Sequence, residues 1–285
     1  MTVKQSDRRF GASARSAALL AVLLGGGLAL SACKSNTEGT AAAYADDEPA
    51  GDLYNEGLAY MNAGKMRDAI KSFEEVDRQH PYSEHARKAL VMSAFANYRR
   101  RQYEDAVNIA NRYIALYPAD PDAAYAQYII GQSYFATIPD VTRDQDLTMK
   151  AMAAMQAVVT NYPDSEYADD ARRKITITRD QLAGKDMQIG RYYLERHEYL
   201  AAINRFKSVV IEYQDTRQVE EALERLTESY MAMGLTGEAQ SAAAVLGHNF
   251  PDSPWYKDAY KLLGGAEPQL SEGSWLSKAF GKKTS

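Results

Sequence analysis

Along most of the chain, apolar residues return every three or four positions, the period of a helix with one buried face. One recurring phrase breaks these runs. "HPYSEHARK" begins at His80, "YPADPDAAY" at Tyr117, "YPDSEYADD" at Tyr162, "YQDTRQVEE" at Tyr213 and "FPDSPWYKD" at Phe250. Each has a ring residue, usually Pro, then Asp, Ser or Thr, then a new helical run. Proline disfavours the helical region for the residue before it, so a helix stops near the ring residue. Asp, Ser and Thr accept hydrogen bonds from the free N–H groups that open the next helix. Asp120-Pro121 and Ser253-Pro254 also put Pro where the first helical residue belongs. The phrase is a stop followed by a start. Five copies predict an all-α chain of repeated helix pairs.

The repeat has a register. In "GLAYMNAGKMRDAIKSFEEVDRQHP", residues Gly57, Tyr60, Ala69, Phe73 and Pro81 fall at the spacing L-G-x2-Y…A-x3-F…P of the tetratricopeptide pattern. Gly57 and Pro81 are 24 apart, as are Ala94 and Pro118, Gly190 and Gln214, and Thr227 and Pro251. Gly131 and Pro163 are 32 apart, with "PDVTRDQD" at 139–146 as the insertion. Glu56 in a Leu slot and Gln214 in a Pro slot depart from the pattern. One hairpin cannot bury both its faces, so such units stack. The spacing predicts a superhelical array of about five tetratricopeptide-like helix hairpins over 52–263, with 264–285 as a C-terminal tail. Between Pro163 and Gln214 the period is stretched. The extra chain, "SEYADDARRKITITRDQLAGKDM", has helical spacing and no Pro. One helix, or nearly one, is predicted from about Ser165 to Arg196. The alternative is a break at Gly184, since Gly costs about 1 kcal/mol inside a helix.

The N-terminus has a different pattern. Arg8, Arg9 and Arg15 precede the uncharged run "SAALLAVLLGGGLAL" at 16–30. That run is short for a transmembrane helix and matches a secretory signal. "LSAC" at 30–33 then resembles the bacterial lipobox, which implies cleavage before Cys33 and lipid on that residue. Residues 1–32 are therefore expected to be a lipoprotein signal peptide. Residues 33–51, small and polar, are expected to be a flexible tether. Lys34, where Asp would favour retention at the inner membrane, points by analogy to the outer membrane.

Composition narrows the function. Cys33 is the only cysteine, so no intrachain disulfide and no further thiol is available. Removing 1–32 lowers the basic count from 33 to 29 and the acidic count from 38 to 37, a mature net charge of −8. That argues against nucleic acid as a partner. Arg99-Arg100-Arg101 reads as the solvated end of a helix. The four His are scattered, and no H-E-x-x-H, G-x-S-x-G or P-loop occurs. No catalytic residue, cofactor or metal is expected, and the chain reads as a non-enzyme. Twenty Tyr against seven Phe place many rings at half-buried positions where a hydroxyl reaches water or a partner.

The lipobox, the short tether, the repeats and the stretched fourth spacing together resemble one family, BamD (ComL). This is the lipoprotein of the outer-membrane β-barrel assembly machine. "PDSEYADDARRKI", "GRYYLERHEYLAAINRF" and "RDQ" at 143–145 carry the resemblance most closely. It implies a scaffold on the periplasmic face of the outer membrane, held there by lipid on Cys33. The partners it implies are the periplasmic domains of the barrel-forming subunit and unfolded outer-membrane proteins. N-terminal repeats would hold the substrate's C-terminal segment and C-terminal repeats would contact the partner subunit. Arg205, in "NRF", matches a family Arg linked to that partner contact. Another periplasmic tetratricopeptide lipoprotein adaptor, pilotin-like or cell-wall-associated, is the alternative.

Register also places a groove. Positions 5, 9 and 12 of each first helix share one face, turned to the inner side. The first unit offers Tyr54, Leu58 and Met61, the second Val91, Phe95 and Tyr98, the third Tyr128, Gln132 and Phe135. All but Gln132 are apolar or aromatic. An exposed apolar face of this kind marks an interaction site for an extended peptide. If the superhelix closes on itself, the same residues are core. Arg205 lies about 60° to 100° from the packing slots Ala202 and Phe206, which turns it away from the core.

Overall fold

The computed structural model describes residues 48–280. Among these there are twelve helices and no strand. Five consecutive pairs form the array. They are α1 (Ala50–Asn62) with α2 (Met66–Gln79), α3 (Glu84–Arg99) with α4 (Tyr103–Leu116), and α5 (Ala123–Phe135) with α6 (Asp146–Asn161). Then come α7 (Ala168–Glu195) with α8 (Tyr199–Glu212), and α9 (Gln218–Ala232) with α10 (Thr236–Asn249). Two shorter helices follow, α11 (Pro254–Leu262) and α12 (Trp275–Phe280).

The recurring phrase has a common geometry. Its ring residues His80, Tyr117, Tyr162, Tyr213 and Phe250 are all C-caps, with φ of −132°, −132°, −134°, −125° and −137°. With ψ between 40° and 61°, the backbone at each has left the helical region, which a following Pro disfavours. Tyr213 does so before Gln214, so packing enforces the same stop without Pro. Tyr117, Tyr162, Tyr213 and Phe250 lay their rings on the core. Ser83 caps α3 by accepting from the Ala86 N–H at 3.0 Å.

Within a pair, the helices approach at the small-residue slots. A Cβ on Gly57 would stand 2.5 Å from Phe73, and one on Gly190 would stand 2.4 Å from Phe206. Only glycine admits a ring there, which is why Gly and Phe recur together in the register. From α1 to α11 each helix packs on the next one in sequence, and α12 packs back on α10. The odd helices also touch in series, α1 on α3, α3 on α5, α5 on α7 and α7 on α9, so they line the inner side of the stack. The buried residues fall into several clusters along the array, as expected of stacked repeats.

α7 is continuous through Gly184 and covers both α6 and α8. The loop between α5 and α6, which carries the insertion, lies on it. Gln181 Nε2 donates to the Pro139 carbonyl at 3.0 Å and Lys185 Nζ to the Thr142 carbonyl at 2.8 Å. The extra turns of α7 and the extra residues of the loop support each other. The chain after α11 also packs. Leu276 is fully buried, the Trp275 indole N–H donates to Tyr230 Oη at 3.1 Å, and Ser274 Oγ donates to Glu238 at 2.7 Å.

Candidate functional site

The inner side of the first hairpins carries a path of rings. Tyr54 on α1 lies 5.7 Å from the His85 ring, at the start of α3. Phe95 on α3 lies 6.1 Å from Tyr125 on α5, and Tyr125 lies 5.2 Å from Tyr167, just before α7. Tyr128 stacks on Tyr167 at 4.9 Å. Tyr98 lies 5.8 Å from Tyr103. Lys174 sits 4.8 Å above the Phe135 ring and Arg99 sits 5.6 Å above the Phe95 ring.

The sequence-derived groove residues are neither free nor lost in the core. Tyr54, Leu58, Met61, Phe95, Tyr98, Tyr128, Gln132 and Phe135 are all half-buried. Their inner edges pack on the hairpin clusters and their outer edges reach solvent. Val91 is the exception and the groove assignment fails for it. It is 3% exposed and belongs to the cluster with Ala94 and Ile130. Its short side chain is buried in the cluster shared by α3 and α5, whereas the larger Phe95 and Tyr98 are only partly buried against it. Gln132, the polar member, donates through Nε2 to the Tyr128 hydroxyl, and that hydroxyl donates to Asp170.

The electrostatics of the path follow from half-burial. Burial raises the pKa of the Tyr98, Tyr128 and Tyr167 hydroxyls and pushes Tyr125 up to about 12. Asp170 raises Tyr128 further, and the Tyr128 hydroxyl helps hold Asp170 low. These phenols therefore remain neutral donors at any physiological pH. The face combines apolar rings, hydroxyl donors and cations at its edges, a chemistry suited to a peptide with aromatic side chains.

Arg205 lies on α8, half-exposed, and Nη1 contacts Asp186 of α7 at 3.1 Å. It takes no part in the core formed by Ala202 and Phe206. Cys33 falls outside the described residues. Tyr125, Tyr167 and Arg99 belong to the path although register alone did not select them. Tyr125 stands three residues before Tyr128, close to one helical turn, and that spacing was the available signal. Tyr167 belongs to the stretched spacing, where the repeat frame no longer assigns a face. Among the described residues, no helix is long and apolar enough to cross a membrane.

Comparison with known proteins gives concordant results. A family model described as an outer membrane lipoprotein matches residues 46–246. An outer membrane protein assembly factor BamD from Caulobacter vibrioides is 48% identical over 76% of this chain and 72% of its own length. The protein of that name from Rickettsia prowazekii is 42% identical over 86% of this chain and 96% of its own. That from Neisseria gonorrhoeae is 34% identical over 85% and 94%.

Proposed function

Because the chain belongs to the BamD family of outer membrane lipoproteins, we propose that it is an outer-membrane protein assembly factor that receives unfolded barrel proteins along its inner aromatic face. It acts as a scaffold within the assembly machinery at the outer membrane. Lipid on Cys33 anchors it on the periplasmic face. The first three hairpins hold the C-terminal segment of the substrate, and the surface around Arg205 meets the periplasmic domains of the barrel-forming subunit.

One observation carries the substrate part. The rings of α1, α3 and α5 are half-buried at matching register positions, so they are fixed by packing yet present an edge outward. An extended strand with alternating side chains could bury those edges. Ring contacts are worth about 0.5–1.5 kcal/mol each beyond their buried area. Flexible Met61 on the same face tolerates varied partners. The test is Phe95→Ala combined with Tyr98→Ala. Crosslinking to a C-terminal barrel peptide should fall severalfold while the circular dichroism spectrum is unchanged. Retained crosslinking, or loss of the helical spectrum, would count against a binding role for these rings.

A further inference from the structure

The chain's own tail shows what the outer side of the array can hold. A shift of 133 residues carries the first two hairpins onto the fourth and fifth: Gly57 falls on Gly190, Ala69 on Ala202, Ala106 on Ala239 and Pro118 on Pro251. Between the fourth and fifth hairpins, residues 271–275 lie against four side chains. The Ser271 N–H donates to Ser241 Oγ at 3.2 Å and Ser274 Oγ donates to Glu238 at 2.7 Å. The Trp275 indole N–H donates to Tyr230 Oη at 3.1 Å, and Lys207 Nζ lies 4.7 Å over the Trp275 ring. Shifted back by 133, the four side chains are Asn108, Asp105, Asn97 and Glu74. All four line one notch of about 320 Å³ between the first and second hairpins, together with Arg100 and Gln102. Its polar groups are unused. Among the described residues, Glu74, Asp105 and Arg100 form no ion pair, and the Asn108 side chain makes no hydrogen bond. Asn97 donates its amide N–H to the Ser93 carbonyl at 2.9 Å, which leaves Oδ1 as an acceptor. Gln102 Oε1 is buried and accepts no hydrogen bond. Asn97 also stands in the slot that holds Tyr60, Tyr134, Tyr193 and Tyr230 in the other units. The second unit thus lacks its neighbours' ring and presents acceptors in its place.

We propose that the outer notch between the first two hairpins docks a segment of a partner protein that carries a serine or threonine, then a tryptophan, with a basic residue nearby, in the pose that residues 271–275 adopt in the register-matched notch. Each contact of the tail has a counterpart there. Asn108 accepts from a backbone N–H, as Ser241 does. Asp105 accepts from a hydroxyl, as Glu238 does. Asn97 Oδ1 accepts from the indole N–H, and Gln102 Oε1 takes a second donor of the segment. A tryptophan supplies both the ring that the second unit lacks and the N–H that these acceptors need. Charge sets the difference between the two notches. Lys207 is replaced by Glu74, so a segment that met a cation there must bring one here. With Asp105 beside it and Arg100 opposing, the notch is acidic and selects a basic partner over an acidic one. The site lies among α2, α3 and α4 on the outer side and is independent of the inner groove.

The probe is a fluorescent peptide with the sequence of residues 271–280 and Glu272→Lys, which gives it the basic character the notch calls for. The wild-type protein should bind it. The same peptide with Trp275→Ala should bind at least about tenfold more weakly, and restoring Glu272 should weaken binding severalfold. On the protein, Glu74→Lys with Asp105→Lys should weaken binding about tenfold, the worth of one or two charge-assisted hydrogen bonds. Asn97→Tyr puts back the ring of the repeat and should block the notch with the circular dichroism spectrum unchanged. Glu74 and Asp105 are exposed, so their double variant stays folded and decides the matter even where Asn97→Tyr does not fold. Glu238→Lys in the matching notch, and Phe95→Ala with Tyr98→Ala on the inner face, should leave binding as it is. Binding lost in Glu238→Lys and kept in the Glu74 and Asp105 variant would mean that the peptide exchanges with the tail, and would overturn the site. Binding lost only in the Phe95 and Tyr98 variant would move the peptide to the inner groove and overturn it as well. A wild-type dimer in sedimentation that the Glu74 and Asp105 changes dissolve would make the occupant a second copy of this chain rather than a partner. No binding by the wild-type protein would overturn the inference and leave the inner groove untouched.

Discussion

Glu224 on α9 is 4% exposed, and its Oε2 accepts no hydrogen bond although Arg225 Nε lies 3.4 Å away. Arg225 is shared among three acids, with Glu228 at 2.8 Å and Glu221 at 3.6 Å. Burial therefore dominates and pushes the Glu224 carboxyl up to about 7, and the charges of Glu228, Asp258 and Glu221 act in the same direction. A carboxyl raised on folding favours the folded state while it is protonated. That stability is complete below the unfolded-state value and is lost as pH rises through about 7. Glu224→Gln should remove this loss and make the protein more stable than wild type at pH 8, by about 2 kcal/mol. Melting temperatures across pH 5–8 that run parallel in the two proteins would contradict it. No sequence pattern revealed this residue, because a Glu in "EEALERL" reads as a solvated helix position. Arg205 makes the opposite case. Its ion pair with Asp186 is half-exposed and so contributes about 0–1 kcal/mol. Arg205→Glu should hardly move the melting temperature, yet it should weaken co-purification of the barrel-forming subunit. Asp186→Asn, which breaks the same pair and keeps the arginine, should co-purify normally. If both variants lose the partner equally, the ion pair rather than the arginine's outward reach is what matters.

At the scale of elements, the helix pairs were legible because each is bounded by local chemistry. The ring residue that ends a helix lies within a few residues of the next start, so the stop is local. Of the expected side-chain caps, only that of Ser83 forms: α7 and α9 open from Tyr167 and Arg217, and Asp122 and Ser253 make no side-chain cap bond. The continuity of α7 was legible from the missing Pro. Its cause was not, since the loop that lies on it is a distant contact carried by Gln181 and Lys185. Val91 shows the same limit within one helix. Register gives the face of a residue but not how far its side chain reaches past the neighbouring helix. α12 escaped the sequence pattern altogether. It is a single short turn-and-a-half, and residues 264–273 before it are polar. Tertiary contacts define it: buried Leu276, Trp275 hydrogen-bonded to Tyr230, and Lys207 lying 4.7 Å over the Trp275 ring. Leu276→Ala should cost about 2–3 kcal/mol. Because repeats couple mainly to their neighbours, hydrogen exchange should quicken first in α8 to α10 and leave α1 to α4 unchanged. A uniform rise across all helices would mean that the array unfolds as one unit.

Over the whole molecule, stability and location have separate origins. The stack is held by contacts between successive helices, all of them among residues 48–280. Cys33 lies upstream of every one of those contacts. No helix among the described residues is long and apolar enough to cross a bilayer. Residues 33–285, with a net charge of −8 by sequence, have no overall attraction to anionic lipid. The proposed location at the membrane therefore calls for another attachment. On the proposed reading, lipid on Cys33 supplies it. Each buried CH₂ contributes about 0.8 kcal/mol, a single acyl chain holds a protein only marginally, and two or more hold it stably. Cys33→Ala should therefore leave the melting temperature unchanged and shift the protein from the membrane fraction toward the soluble periplasm. Retention through partners would blunt that shift, so the double variant Cys33→Ala with Arg205→Glu separates the two tethers. It should be released more fully than either single variant. Metabolic labelling with a radioactive fatty acid should mark the wild-type protein and the Arg205→Glu variant and leave both Cys33→Ala proteins unlabelled. Label persisting without Cys33 would mean that the anchor is attached to another residue.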